Sequence, residues 1–168
     1  MALNIVLIEP EIPQNTGNIV RTSAALGATL HLVHPLGYSL DEKHLKRAGL
    51  DYWPKLNLVE WPDAASFFRA KEGEELYYFT TKAPRSYAQV HYPDEVYLVF
   101  GKESAGLDEA ILAAHPDRCL RIPMREAIRS LNLSNSVAIA AYEWERQRTF
   151  EGLVETGALH HLTYKEIS

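Results

Sequence analysis

The sequence predicts an α/β domain: a mostly parallel sheet with helices on both faces. Three observations point there. Short apolar runs alternate with helix-patterned segments along the chain. Several runs, such as LNIVLI at residues 3 to 8 and EVYLVF at 95 to 100, are almost unbroken, as in strands buried on both faces. The most polar and glycine-marked turns, Asn15 to Gly17, Thr80 to Lys82, Gly101 to Gly106 and Met124 to Asn135, follow strands. In such sheets ligands sit beyond the carboxyl ends of the strands.

The elements follow in order. Residues 3 to 8 form a strand bounded by Pro10. Pro10 and Pro13 bracket a turn, and Asn15-Thr16-Gly17-Asn18 leads into a helix, IVRTSAALGA, with Arg21 on its first turns and Gly27 as its C-cap. Residues 29 to 34 form a strand ending before Pro35. Ser39 and Glu42 have the spacing of a capping box for a helix whose end carries Lys46, Arg47 and Gly49. A short strand at 56 to 60, a helix at 62 to 71 and strands at 75 to 80 and 95 to 100 come next. Asp108 and Glu109 open a helix that runs through Ala114, and Cys119 to Ile122 form a strand stopped by Pro123. In the last helix Leu133, Val137, Ala140, Ala141 and Trp144 recur at three- and four-residue steps, with Ser130 or Asn132 as its cap. One domain is expected over residues 1–150, followed by a tail of weak periodicity at 151–168.

Composition narrows the function. The length, 168 residues, suits one domain with a real core. No apolar run approaches the roughly 20 residues of a membrane span, and MALNIVLIEPE has neither a basic leader nor a small-residue cleavage site, so a cytoplasmic protein is expected. The single cysteine, Cys119, reads as a core filler. A net charge of -5 argues against a surface coated in basic charge, though not against a local basic patch. There is no GxGxxG after the first strand, no GxxxxGK[ST] and no GxSxG. His31 and His34 lie in a strand on opposite faces and His160 and His161 are adjacent, so no metal is expected.

Three stretches carry a more specific signal: PEIPQNTGNIVRTSAALGA at 10 to 28, VFGKESAGL at 99 to 107 and RIPMREAIRSLNLSNSVAIAAYE at 121 to 143. Together and in this order they resemble the three motifs of the SPOUT class of RNA methyltransferases. The short length and DEKHLKRAGLDYW at 41 to 53 look most like the TrmL type, the tRNA (cytidine/uridine) 2′-O-methyltransferases acting at the wobble nucleotide, position 34. The resemblance implies an α/β fold with a deep C-terminal trefoil knot, a homodimer, and S-adenosylmethionine bound in the knot and released as S-adenosylhomocysteine. Transferred by position, Phe79, Gly101, Ile122, Met124, Ser130 and Leu131 should line the cofactor pocket, with Gly101 allowing close backbone approach to a ligand.

The resemblance places Asn15, Arg21, Glu103, Ser130 and Asn132 at or near the reacting centre. A guanidinium is a poor general base, so Arg21 is expected to clamp a phosphate and stabilise developing alkoxide charge. Its bland alternative is a surface salt bridge, and that of Glu103 is a helix-start carboxylate favoured by the dipole. The implied partner is a tRNA anticodon loop. Lys43, Arg47, Lys82, Arg85, Arg125 and Arg129 are candidates for phosphate contacts, and Tyr87 or Trp53 for base stacking or for packing. Two alternatives stay open: 2′-O-methylation of another tRNA position or of ribosomal RNA, and a non-catalytic RNA-binding module.

Overall fold

A computed structural model describes residues 1–40 and 53–164. Its sheet has six strands, β1 (Ala2–Ile8), β2 (Thr29–Val33), β3 (Asn57–Trp61), β4 (Leu76–Phe79), β5 (Glu95–Phe100) and β6 (Cys119–Leu120), in the order β3-β2-β1-β5-β4-β6. All neighbours are parallel. The order runs outward from β1 in both directions, so the crevice for a ligand opens beyond the carboxyl ends near β1 and β5.

The period-2 alternation of strand side chains divides the core into two layers. On one face Leu3, Ile5 and Leu7 of β1 and Val96, Leu98 and Phe100 of β5 pack beneath α1 (Pro13–Leu26) and α4 (Leu133–Gln147) through Ile19, Val20, Val137 and Trp144. On the other, Val6, Ile8, Tyr97 and Val99 pack with Phe67 of α2 (Ala64–Ala70) and Leu112 of α3 (Glu109–Ala114). The fully buried Ala140 and Ala141 let α4 settle closely. Trp144 Nε1 donates to Pro93 O at 3.0 Å, and the Arg148 guanidinium lies 3.9 Å over its ring. Burying each large apolar side chain contributes about 1.5–3 kcal/mol.

Several boundaries differ from those expected. α1 begins at Pro13 rather than after Asn18, because proline suits the first helical position, where no N–H is needed. Asn15, Thr16 and Gly17 are therefore buried helical residues, while Gly27 closes α1 in the left-handed conformation (φ 64°) as expected. α2 starts after Asp63, whose carboxylate caps it. β6 keeps two residues, since Arg121 pairs with the loop at Ser86 instead of extending β4's ladder. The expected capped helix from Ser39 to Gly49, with Lys43, Lys46 and Arg47, lies largely outside the described residues, as do the last four residues of the tail. Residues 151–164 form no helix or strand and are mostly exposed.

Two polar groups in the core are fully accounted for. Buried His31 accepts from Trp61 Nε1 at Nδ1 (3.1 Å), so its Nε2 carries the proton and donates to Asn4 Oδ1 (3.1 Å). Cys119 is buried, donates to His115 O at 3.2 Å and has its thiol pKa pushed up by burial, as a core filler would.

Candidate active site

The loops after β1 and β5 are stitched together by alternating side chains. Lys102 Nζ bonds Glu9 Oε2 at 2.9 Å, which raises the lysine's pKa, while Glu9 turns the chain with φ at 51°. Glu11 accepts from both the amide and the hydroxyl of Ser104 at 2.9 Å, and those bonds hold its carboxyl below the usual range. Glu103 answers in the other direction, accepting from Glu11 N (2.8 Å), Ile12 N (3.1 Å) and Asn15 Nδ2 (3.2 Å). The N-cap residue of α1, Ile12, has no side chain able to cap. Glu103 supplies a carboxylate at the positive end of that helix from the loop after β5.

Gly101 meets a further demand besides the one expected. A Cβ there would lie 2.1 Å from the carbonyl carbon of Gly106 and 2.3 Å from Leu107 N. The close approach is thus to the loop's own backbone, which folds back so that Lys102 bridges Gly106, itself at φ 70°. Asp108, and not Glu103, caps α3 by accepting from Ala110 N at 2.9 Å.

These loops wall a cavity of about 460 Å³ together with the ends of β4 and β6. All six residues expected to hold the cofactor, Phe79, Gly101, Ile122, Met124, Ser130 and Leu131, line it, as do Asn15, Glu103 and Asn132. Phe79 and Phe100 stack beneath it with centroids 4.8 Å apart. The chain after β6 reaches the cavity because Arg121 N donates to Arg85 O (2.8 Å) and Tyr87 N to Arg121 O (3.0 Å). It turns at Arg125–Ile128 and enters α4 at Asn132.

Asn132 caps α4, its Oδ1 accepting from Ser134 N (2.9 Å) and Asn135 N (3.3 Å), and its Nδ2 donates to Asn15 Oδ1 (2.9 Å). A directional chain Asn132→Asn15→Glu103 thereby joins all three motifs. With three donors on its carboxylate, Glu103 anchors the first turn of α1. Arg21 stands apart: it is an exposed residue further along α1 and does not line the cavity.

Sequence reasoning missed Glu9, Glu11, Lys102 and Ser104. Their partners lie up to 93 positions away, a separation no local pattern reveals. Of the expected phosphate contacts, Lys82 pairs with Glu109 (2.7 Å) and Arg85 donates to Gln89 O (3.0 Å), whereas Arg125 and Arg129 project from the cavity-lining segment into solvent. Tyr87 packs against the core. Among the described residues no group of three or more His, Cys, Asp or Glu is placed to hold a metal, and no helix is long and apolar enough to cross a membrane.

Comparison with known proteins agrees with this geometry. A tRNA (cytidine(34)-2'-O)-methyltransferase from Escherichia coli K12 is 45% identical over 153 residues, spanning 90% of this chain and 98% of that protein. A solved structure described as giving structural insights into the 2-OH methylation of C/U34 on tRNA superposes with a TM-score of 0.84 at 46% identity, over 89% of this chain and 98% of the other. The SpoU methyltransferase AviRb from Streptomyces viridochromogenes, in complex with the cofactor AdoMet, gives a TM-score of 0.75 at 26% identity, over 88% of this chain and 58% of that one. The model of the SpoU rRNA Methylase family matches residues 2–142. The three-motif resemblance is thereby borne out, and the chain belongs to the SpoU rRNA Methylase family.

Proposed function

We propose that this chain transfers a methyl group from S-adenosylmethionine to the ribose 2′-hydroxyl of the tRNA wobble nucleotide, cytidine or uridine at position 34. The observation that carries this reading is the meeting of six expected cofactor-lining residues and the Asn132–Asn15–Glu103 chain in one cavity. The relatives' described reactions supply the chemistry and the target.

The cavity suits the cofactor. Phe79, Ile122, Met124 and Leu131 offer apolar contact for an adenine ring, and the loop backbones at Gly101 and Ser130 lie alongside it. Bound there, S-adenosylmethionine supplies a sulfonium-activated methyl group, and its transfer leaves S-adenosylhomocysteine. In that transfer the ribose oxygen would take the methyl carbon as the carbon–sulfur bond breaks, the sulfonium becoming a neutral thioether and the hydroxyl proton passing to water. Asn15, Glu103 and Asn132 hold the three motifs in register so that donor and acceptor meet in line. Ser130 faces the cavity as a hydroxyl able to orient the ribose. Arg21, exposed on α1 outside the cavity, grips RNA phosphate.

Arg125 and Arg129 supply backbone contacts beside the cavity, so RNA affinity falls steeply with salt. Two further properties belong to this reading. A deep C-terminal trefoil knot is one, supported by the place of β6 at the sheet edge beyond β4 while α4 packs with α1 over β1 and β5. The other is that the chain acts in the cytoplasm as a homodimer, for which the exposed Ile139 and Tyr142 of α4 offer apolar surface.

The test is transfer of labelled methyl to bulk tRNA followed by mapping of the nucleotide by nuclease digestion and mass spectrometry. Label on the wobble ribose is expected. Label at another tRNA position or on ribosomal RNA would keep the enzyme class and change the substrate, and a chain that fails to bind S-adenosylmethionine would be the non-catalytic module.

A further inference from the structure

The first turn of α1 is held from two sides. From the loop after β5 comes the Glu103 carboxylate, which accepts from Glu11 N, Ile12 N and Asn15 Nδ2. From the opposite side comes the loop after β2. Its Gly37 N donates to Pro10 O at 2.9 Å, and a Cβ on Gly37 would lie 2.7 Å from both the Cα and the carbonyl oxygen of Glu11, so that loop is seated directly on the β1–α1 turn. One residue on, the Tyr38 hydroxyl meets Thr16 Oγ1 at 2.5 Å. Thr16 is fully buried and is Asn15's neighbour in the helix. Leu36 and Leu40, on either side of Tyr38, pack against the core and fix the loop that carries it.

We propose that Tyr38 is a positioning residue for the methyl transfer: its hydroxyl, through Thr16, fixes the first turn of α1 and so the Asn15 amide between Asn132 and Glu103. The proposal rests on the ribose-methylation reading above. Tyr38 does not line the cavity, and its hydrogen bond to Thr16 is its route to α1. Burial pushes its phenol up to about 12, so the hydroxyl stays protonated, and either it or the Thr16 hydroxyl can donate in their bond. Asn15 faces Glu103 and Asn132 while Thr16 faces Tyr38, so one turn of helix is clamped between the loops that follow β2 and β5, the strands on either side of β1. A site that must align a nucleophile with a methyl group within a fraction of an ångström depends on such second contacts.

The test uses the full chain with Tyr38→Phe, Thr16→Ser and Asn15→Ala, singly and combined. Tyr38→Phe is expected to lower kcat about tenfold with the KM for S-adenosylmethionine within about twofold of wild type. Thr16→Ser, which keeps the hydroxyl, should retain most of the rate. Tyr38→Phe should cost nothing further when added to Asn15→Ala, because both act through the same amide. Independently of any activity, the Asn15 side-chain amide resonances, assigned by their loss in Asn15→Ala, should shift in Tyr38→Phe and stay in place in Thr16→Ser. An Asn15 amide unmoved by Tyr38→Phe, or multiplicative losses in the Tyr38→Phe/Asn15→Ala double variant, would overturn the proposal. Wild-type chain that transfers no methyl group would count against the ribose-methylation reading, and the resonance experiment would still decide whether Tyr38 positions Asn15.

Discussion

Asn132 Nδ2 donates to Asn15 Oδ1 across 2.9 Å, joining residues 117 positions apart and tying the N-termini of α4 and α1 to each other. The same Asn132 caps α4 through its other atom, so one side chain serves both stability and the site. Serine at this position can still cap but has no amide to give. Asn132→Ser should unfold within a few degrees of wild type, while its methyl-transfer rate falls roughly tenfold or more. Thermal unfolding and steady-state kinetics on one preparation check both halves.

Gly101 has no room for a Cβ against Gly106 and Leu107, whose backbone does not yield as a side-chain tip would. Gly101→Ala should therefore open the 101–107 loop and weaken binding of S-adenosylhomocysteine at least about tenfold, measured by calorimetry. Unchanged affinity would mean that the loop adapts and that its shape does not set the pocket.

Glu103 receives three hydrogen bonds and acts as an anchor. Glu103→Gln puts an amide N–H where one donor now points, at a cost of about 1–3 kcal/mol in stability. The rate should fall while the pH–rate profile keeps its wild-type shape. Loss of the acidic limb would instead identify Glu103 as the general base.

Arg21 is proposed to act as a guanidinium fork on RNA phosphate. Replacement by lysine preserves the charge and loses the bidentate geometry, so Arg21→Lys should lower kcat/KM for tRNA by about tenfold with cofactor affinity unchanged. Near-normal turnover in filter-binding and transfer assays would show that a point charge suffices.

His31 ties the fold to pH. Burial, aided by the nearby Lys71 charge, lowers its pKa from 6.5 to about 4, and the neutral ring both accepts from Trp61 and donates to Asn4. Between those two values the unfolded chain binds a proton that the folded chain refuses, so stability is greatest above pH 6.5 and is lost as pH falls toward about 4. The gap corresponds to about 3 kcal/mol. Denaturant unfolding of wild type against His31→Gln between pH 7 and 4.5 should show a steeper decline for the wild type.

The strands were legible because β1 and β5 are near-continuous apolar runs, and α4 because Val137, Ala140, Ala141 and Trp144 keep helical spacing; all four are buried. The start of α1 and the length of β6 were not. The first rests on Pro13 at the first helical position together with a capping carboxylate supplied by Glu103, and the second on Arg121 leaving β4 to pair beside Ser86. Neither partner is local.

By itself the sequence determined the α/β class, the strand-end turns that carry the polar residues, and the three ordered motifs whose cavity-lining members meet as expected. Those are properties of period and residue type, which a chain displays before it folds. Only the tertiary structure decided that Glu103 is spent on α1's backbone amides, that Gly101 makes room for its own loop, that Arg21 stands outside the cavity and that Tyr38 braces the helix carrying Asn15. Each is a contact between segments brought together by the parallel sheet. Hydrogen-bond geometry and van der Waals exclusion act over a few ångströms of space, whatever the distance along the chain.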